Sequence, residues 1–137
     1  MREIREVIFR GKRTDNGKWV KGYLYITHTG AHEIGSYDAE INIERFTFDV
    51  IPETVGQYTG LTDKNDVRIF EGDIVSLVKH DGLIYKVVYV PCRYELVNSK
   101  GVNCFVLDIY KSENIEVIGN IYDNPELLGG ENNGINR

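Results

Sequence analysis

Good helix formers are scarce in this chain, which has a single methionine and only two alanines, Ala31 and Ala39. A long helix would have little intrinsic support. No apolar run approaches the roughly 20 residues that a helix needs to cross a bilayer. The opening Met1-Arg-Glu-Ile-Arg-Glu6 puts charges where a signal peptide carries its apolar core. A cytoplasmic protein without membrane association is expected. Cysteine is limited to Cys92 and Cys104, too few for a disulfide scaffold or a four-ligand zinc site. They flank the turn Asn98-Ser-Lys-Gly101 and could face each other across a hairpin, where a disulfide is conceivable; in a reducing compartment free, buried thiols are the preferred reading. His28 and His32 lie four apart in a glycine-containing loop, where that spacing defines no common face, so they are read as polar loop residues. Gly56, Gly60 and Gly72 lack the spacing and the Lys-Ser/Thr ending of a phosphate loop, and no Gly-x-Ser-x-Gly element is present. No cofactor, metal or catalytic residue is expected, and no enzyme.

What the chain has instead is nine Tyr, five Phe and one Trp within a hydrophobic fraction of 42%. Rings and β-branched side chains suit a pleated surface. Its 137 residues give room for one domain or two small β subdomains. The formal net charge of −5 argues against a nucleic-acid binder, which needs a basic stripe to neutralise phosphates. The charge is unevenly spread, however. Residues 1–22 hold seven basic side chains against three acidic, whereas residues 113–137 hold five acidic against Arg137 alone. Solvated faces of one globule are the plain explanation. Head-to-tail attraction between subunits, or an anionic ligand at the basic end, are the sharper ones.

Strand-like runs alternate with turn signals at short intervals, the pattern of an all-β protein. Val7-Ile-Phe9 leads into the hairpin turn Thr14-Asp-Asn-Gly17, where Asn-Gly tolerates positive φ. Trp19 to Ile26 then alternates, with Val20, Leu24 and Ile26 on one face and Trp19, Tyr23 and Tyr25 on the other. Residues 27–40 read as a long loop. Ile41 and Ile43 are out of phase with Phe46, Phe48 and Val50, which implies a bulge at Glu44-Arg45. Ile51-Pro-Glu-Thr-Val-Gly56 reads as a single helical turn, with Pro at its start and Gly at its end. Four strands follow: Asp73–Lys79, Leu83–Tyr94, Val102–Tyr110 and Ile115–Tyr122. Pro91 requires the second to kink, bulge or run at an edge. Phe105, Leu107 and Ile109 should meet Ile115, Val117 and Ile121 in the core. Asn124-Pro125 opens a last helical turn, with Asn as its cap. The expected organisation is an N-terminal β subdomain over 1–54, a compact β domain over 55–128 and a flexible tail over 129–137.

The carboxylates Glu53, Asp63, Glu71 and Asp73 gather around the segment 56–75 and offer an acid–base pair. Their places at turns and strand starts favour a structural role, because Asp at a turn bonds its own backbone. Tyr23, Tyr25, Tyr85 and Tyr89 could stack single-stranded bases, but cross-strand packing is the better account in an acidic chain.

Several elements together resemble the YopX family, found mainly in bacteriophages and prophages of Gram-positive bacteria. They are Phe9-Arg-Gly-Lys-Arg13, Gly17-Lys-Trp-Val20, Gly22-Tyr-Leu24, Val50-Ile-Pro-Glu-Thr-Val-Gly-Gln-Tyr-Thr-Gly-Leu61, Asp63-Lys-Asn65, Ile69, Glu71-Gly-Asp-Ile-Val75, Ile118-Gly-Asn-Ile-Tyr122 and Asn124-Pro-Glu-Leu127. The resemblance spans about residues 4–128. It implies coiled small sheets with one or two single-turn helices and a C-terminal half similar to an SH3-like barrel. It brings no activity or catalytic residue. One departure stands out: Asp66 occupies a turn position where the family usually has Gly.

These readings point to a non-catalytic interaction module of phage origin that assembles into a homo-oligomer or binds a host or phage protein. Its expected surface is Trp19, Tyr23 and Tyr25 with the basic residues Arg10, Lys12 and Arg13. A strand apolar on both faces, such as 19–26 or 83–90, needs cover on both. The alternative is a nucleic-acid-binding accessory protein using the basic N-terminal segment.

Overall fold

The computed structural model describes residues 6–36, 47–79, 82–101, 105–108 and 112–129. Its strands are β1 (Phe9–Lys12), β2 (Trp19–Ile26), β3 (His32–Ser36), β4 (Thr47–Asp49), β5 (Gly56–Thr62), β6 (Arg68–Phe70), β7 (Asp73–Leu77), β8 (Leu83–Val90), β9 (Arg93–Val97), β10 (Phe105–Val106) and β11 (Ile115–Asn120). A 3-10 turn at Pro52–Thr54 and a helical turn at 126–129 add little helix. The protein is all-β, as the composition implies. It divides into two units, Met1–Tyr58 and Thr59–Arg137.

In the first unit the strand order is β4-β3-β2-β1-β5. Only the opening residues of β5 take part, with Gly56 paired to Arg10 and Gln57 to Phe9. The β1–β2 turn is closed by the Arg13 N–H on Lys18 O at 2.9 Å, and Gly17 alone takes positive φ there, at 71°. The Asn16 side chain accepts the Lys18 N–H at 2.9 Å. Residues 27–36 overturn the long-loop expectation: Thr27 to Ala31 turn tightly, and the chain returns as β3. Four of its five residues are polar or glycine, so alternation could not reveal it. Pairing with β2 on one side and β4 on the other specifies it instead, and Ile34 is wholly buried. A Cβ at Gly11 would stand 3.1 Å from Val50 Cβ and 3.3 Å from Ile34 Cδ1. Glycine thus lets β1 close on the buried Ile34 and Val50. Thr54 Oγ1 donates to Ile51 O at 2.7 Å and accepts the Lys12 N–H at 2.9 Å, tying the 3-10 turn to β1. Gly56 does not end that turn; extended Val55 does, and Gly56 opens β5. The bulge expected at Glu44-Arg45, with Ile41, Ile43 and Phe46, lies outside the described residues.

The second unit holds the β5–β6 hairpin and a five-stranded sheet of order β10-β9-β8-β7-β11. Its core is Ile69, Val75, Leu77, Tyr85, Val87, Leu96, Leu107 and Ile115. The run expected as one strand from Leu83 to Tyr94 is a hairpin, β8 and β9 joined at Pro91 and Cys92, with Cys92 at φ 77°. Proline lacks a ladder N–H and its fixed φ suits the first turn position, so it ends the strand. Cys92 is therefore exposed at a turn, not buried; Cys104 lies outside the described residues. Of the face expected on the next strand, Leu107 is buried while Phe105 is exposed, and Ile109 lies outside the described residues. A register shift between Val117 and Gly119 ends the regular alternation of β11 and leaves Ile118 exposed. Asn124 does not cap the last helical turn with its side chain. Its Oδ1 reaches back to the Asn120 N–H at 3.1 Å. The tail beyond Gly129 lies outside the described residues. Among those residues no pair joins β10 to β11 to close the sheet.

Candidate interaction surface

Two of the four carboxylates around segment 56–75, Asp63 and Asp73, hold backbone N–H groups. Asp63, 6% exposed, ends the β5 arm. Its Oδ1 accepts the N–H groups of Asn65 and Val67 at 2.8 and 2.9 Å. Its Oδ2 accepts the Val117 N–H of β11 at 2.9 Å. Next to it, the Lys64 N–H donates to Ile115 O at 2.9 Å. The two residues thereby stand in for a neighbouring strand along the outer edge of β11. Asp73, also buried, accepts the Phe70 N–H on Oδ2 at 2.7 Å and so closes the Glu71-Gly72 turn. Half-buried Tyr94 has its phenol pushed up by burial, then by Glu71 and Tyr89. Glu53 is exposed on the 3-10 turn. Among the described residues no group of His, Cys, Asp and Glu is arranged to hold a metal ion. His32 instead has Nδ1 3.2 Å from Gly30 O.

The surface residues fall into order once the register is known. Arg10 pairs with Lys21 and Lys12 with Trp19 across β1 and β2, so these side chains share a face with Tyr23 and Tyr25. The Arg10 guanidinium lies 4.8 Å from the Trp19 ring centroid, and the Lys12 ammonium 5.5 Å from it. Cations held against an indole this way gain from its negative ring face. Arg10 is only 8% exposed, while Tyr23 and Tyr25 are 56% and 54% exposed. Gly35 stands opposite Tyr23. A Cβ there would meet the Tyr25 ring at 3.5 Å, which places that ring beside the glycine.

Five of the six expected surface residues are thus brought together. Arg13 is not among them. One residue beyond β1, it alternates to the other face and stacks 4.1 Å from the Phe48 centroid. It also grips Asp15 through two hydrogen bonds of 2.9 and 2.7 Å, and that bonding holds the Asp15 carboxyl below its usual range. Lys21 belongs to the face and was missed as a surface residue; strict alternation from Trp19 was the available signal. Of the other tyrosines, Tyr85 is buried against Phe105, edge to face at 5.6 Å, and is closed to a stacking base. Tyr89 packs against Tyr94 at 5.4 Å.

Fold and surface together define a strand-built protein of two units whose turn acids hold backbone amides and whose β2 presents exposed rings beside basic side chains. The chain belongs to the YopX protein family, whose model matches residues 8–129. Asp66, where that family usually has Gly, does take positive φ, at 68°. Among solved structures the chain is similar to protein EF1440 from Enterococcus faecalis, with 23% identity and a TM-score of 0.58. The match covers 91% of this chain and 99% of that one, and at this identity the likeness concerns the fold. No curated protein matches. No helix among the described residues is long and apolar enough to cross a membrane.

Proposed function

We propose that this chain is a non-catalytic, phage- or prophage-encoded interaction module that acts inside the host cell and associates with itself through the β2 face. One observation carries the reading: Tyr23 and Tyr25 lie within the regular strand β2, yet both are more than half exposed. Exposed tyrosines grouped on a rigid strand are the composition of an interface core more than of a solvated surface. The non-catalytic part is supported by Asp63 and Asp73, whose carboxylates hold backbone N–H groups. The SH3-like reading of the second unit is supported by its order, a four-strand meander with the fifth strand returning beside the first. Sedimentation velocity over a concentration series tests self-association. The wild type should form a larger species as concentration rises, and Tyr23→Ser/Tyr25→Ser should stay monomeric with an unchanged circular dichroism spectrum. A wild type that remains monomeric throughout refutes the reading.

Nucleic-acid binding is the second reading, favoured by Arg10 and Lys12 against Trp19, a combination that suits single strands. Glu33 and Asp49 on the same face oppose phosphate. Fluorescence anisotropy with a labelled single-stranded oligonucleotide separates the two. Salt-sensitive binding lost on neutralising Arg10 and Lys12 supports this reading, and no binding at low ionic strength dismisses it.

A further inference from the structure

We infer that the β2 face pairs with a second copy of itself about a two-fold axis, the basic end of each face meeting the acidic end of the other. This rests on the self-association proposed above and names its geometry. Register puts the charges at opposite corners. Lys21 lies beside Arg10 at the β1 side, with Lys12 further along. At the other end Glu33 is the cross-strand partner of both Tyr25 on β2 and Asp49 on β4. All these side chains therefore project from one face of the sheet. Lys21 and Asp49 are exposed and Glu33 is half-buried. Four residues along a strand and one strand across separate Lys21 from Glu33 by about 14 Å. Tyr23 lies midway between them, and Tyr25 stands beside Glu33 at the acidic end.

A face with cations at one corner, anions at the other and Tyr23 between them is complementary to itself under one operation. A half-turn about an axis that crosses the strands at Tyr23 sets Lys21 of each copy against Glu33 of the other, with Asp49 one strand further on, and lays Tyr23 on Tyr23. A half-turn about an axis along β2 instead sets Lys21 against Lys21, which is unfavourable. The same acids that oppose a nucleic-acid ligand thus favour a second copy. An isologous contact of this kind closes at two subunits.

Charge reversal tests the arrangement, because two-fold symmetry enters each substitution twice. Lys21→Glu makes the face acidic and Glu33→Lys makes it basic, so each variant alone should associate more weakly than the wild type by about tenfold or more. An equimolar mixture should restore much of the association, since positions 21 and 33 then carry opposite signs at both contacts and only Asp49 still opposes the acid introduced at 21. Asp49→Lys, at an exposed position, replaces Glu33→Lys if the latter fails to fold. Sedimentation equilibrium on each variant and the mixture provides the readout. Variants that associate as tightly as the wild type, or a mixture no tighter than its components, overturn the two-fold pairing while leaving self-association intact. A monomeric wild type overturns both.

Discussion

Removing the carboxylate of Asp63 should loosen the second unit more than any nearby surface change, and the cost can be worked from its three bonds. Two of them, to the Asn65 and Val67 N–H groups, lie in an exposed turn where water can replace the lost acceptor. Each is worth about 0.5–1 kcal/mol. The third, to the Val117 N–H of β11, reaches across 54 positions in sequence, and an amide left without an acceptor there costs about 1–3 kcal/mol. Asp63→Ala should therefore lose about 3–4 kcal/mol, a drop in Tm on the order of 10 °C. Asp63→Asn separates the two roles. One amide oxygen can serve the turn, but the NH2 group then faces the Val117 N–H, donor against donor. Its loss should be about 2 kcal/mol, falling mainly on β11. Urea denaturation ranks the three proteins, and hydrogen exchange shows where the loss falls. Val117 and Lys64 amides should lose protection in both variants, and the Asn65 and Val67 amides chiefly in the alanine variant. An Asp63→Ala protein within 1 kcal/mol of the wild type, with Val117 still protected, refutes the account of Asp63 as a surrogate strand.

Asp66→Gly should stabilise the protein by about 1 kcal/mol, because Asp66 holds φ at 68° where glycine has no side-chain penalty. Its N–H bond to Asp63 O is a backbone bond and survives the change; a lower denaturation midpoint would contradict the reasoning. Tyr94 predicts an alkaline effect. Its folded pKa is raised from the ordinary 10.0, so the unfolded chain gives up its proton first as pH rises. The stabilisation is complete below the unfolded value and is lost as pH climbs through the folded one. Denaturation midpoints at successive pH values should fall more steeply above about 10 for the wild type than for Tyr94→Phe; parallel curves would remove the effect from this residue.

Legibility in the sequence followed the range of the forces involved. The limits of β2 appear residue for residue in its alternation, and the Asn16-Gly17 and Pro52-Glu53 turns are visible because their chemistry acts within a few residues. Asp63 as a turn former was equally legible, since two of its bonds close within four positions. Its third bond was not, and no local signal places Val117 beside it. Pro91 announced an interruption, but whether a strand kinks or reverses there depends on which surface the following residues can bury.

By itself, the order of residues determined the all-β class, the major turns and the family, because ring content, alternation and turn chemistry are properties of short segments. Tertiary structure decided that polar β3 is a strand, that Arg13 turns away from Trp19, and that Lys21 and Glu33 occupy one face. Those outcomes follow from strand pairing, whose register converts sequence position into a side of the sheet. Pairing is settled only when distant segments compete for the same edge and the same core.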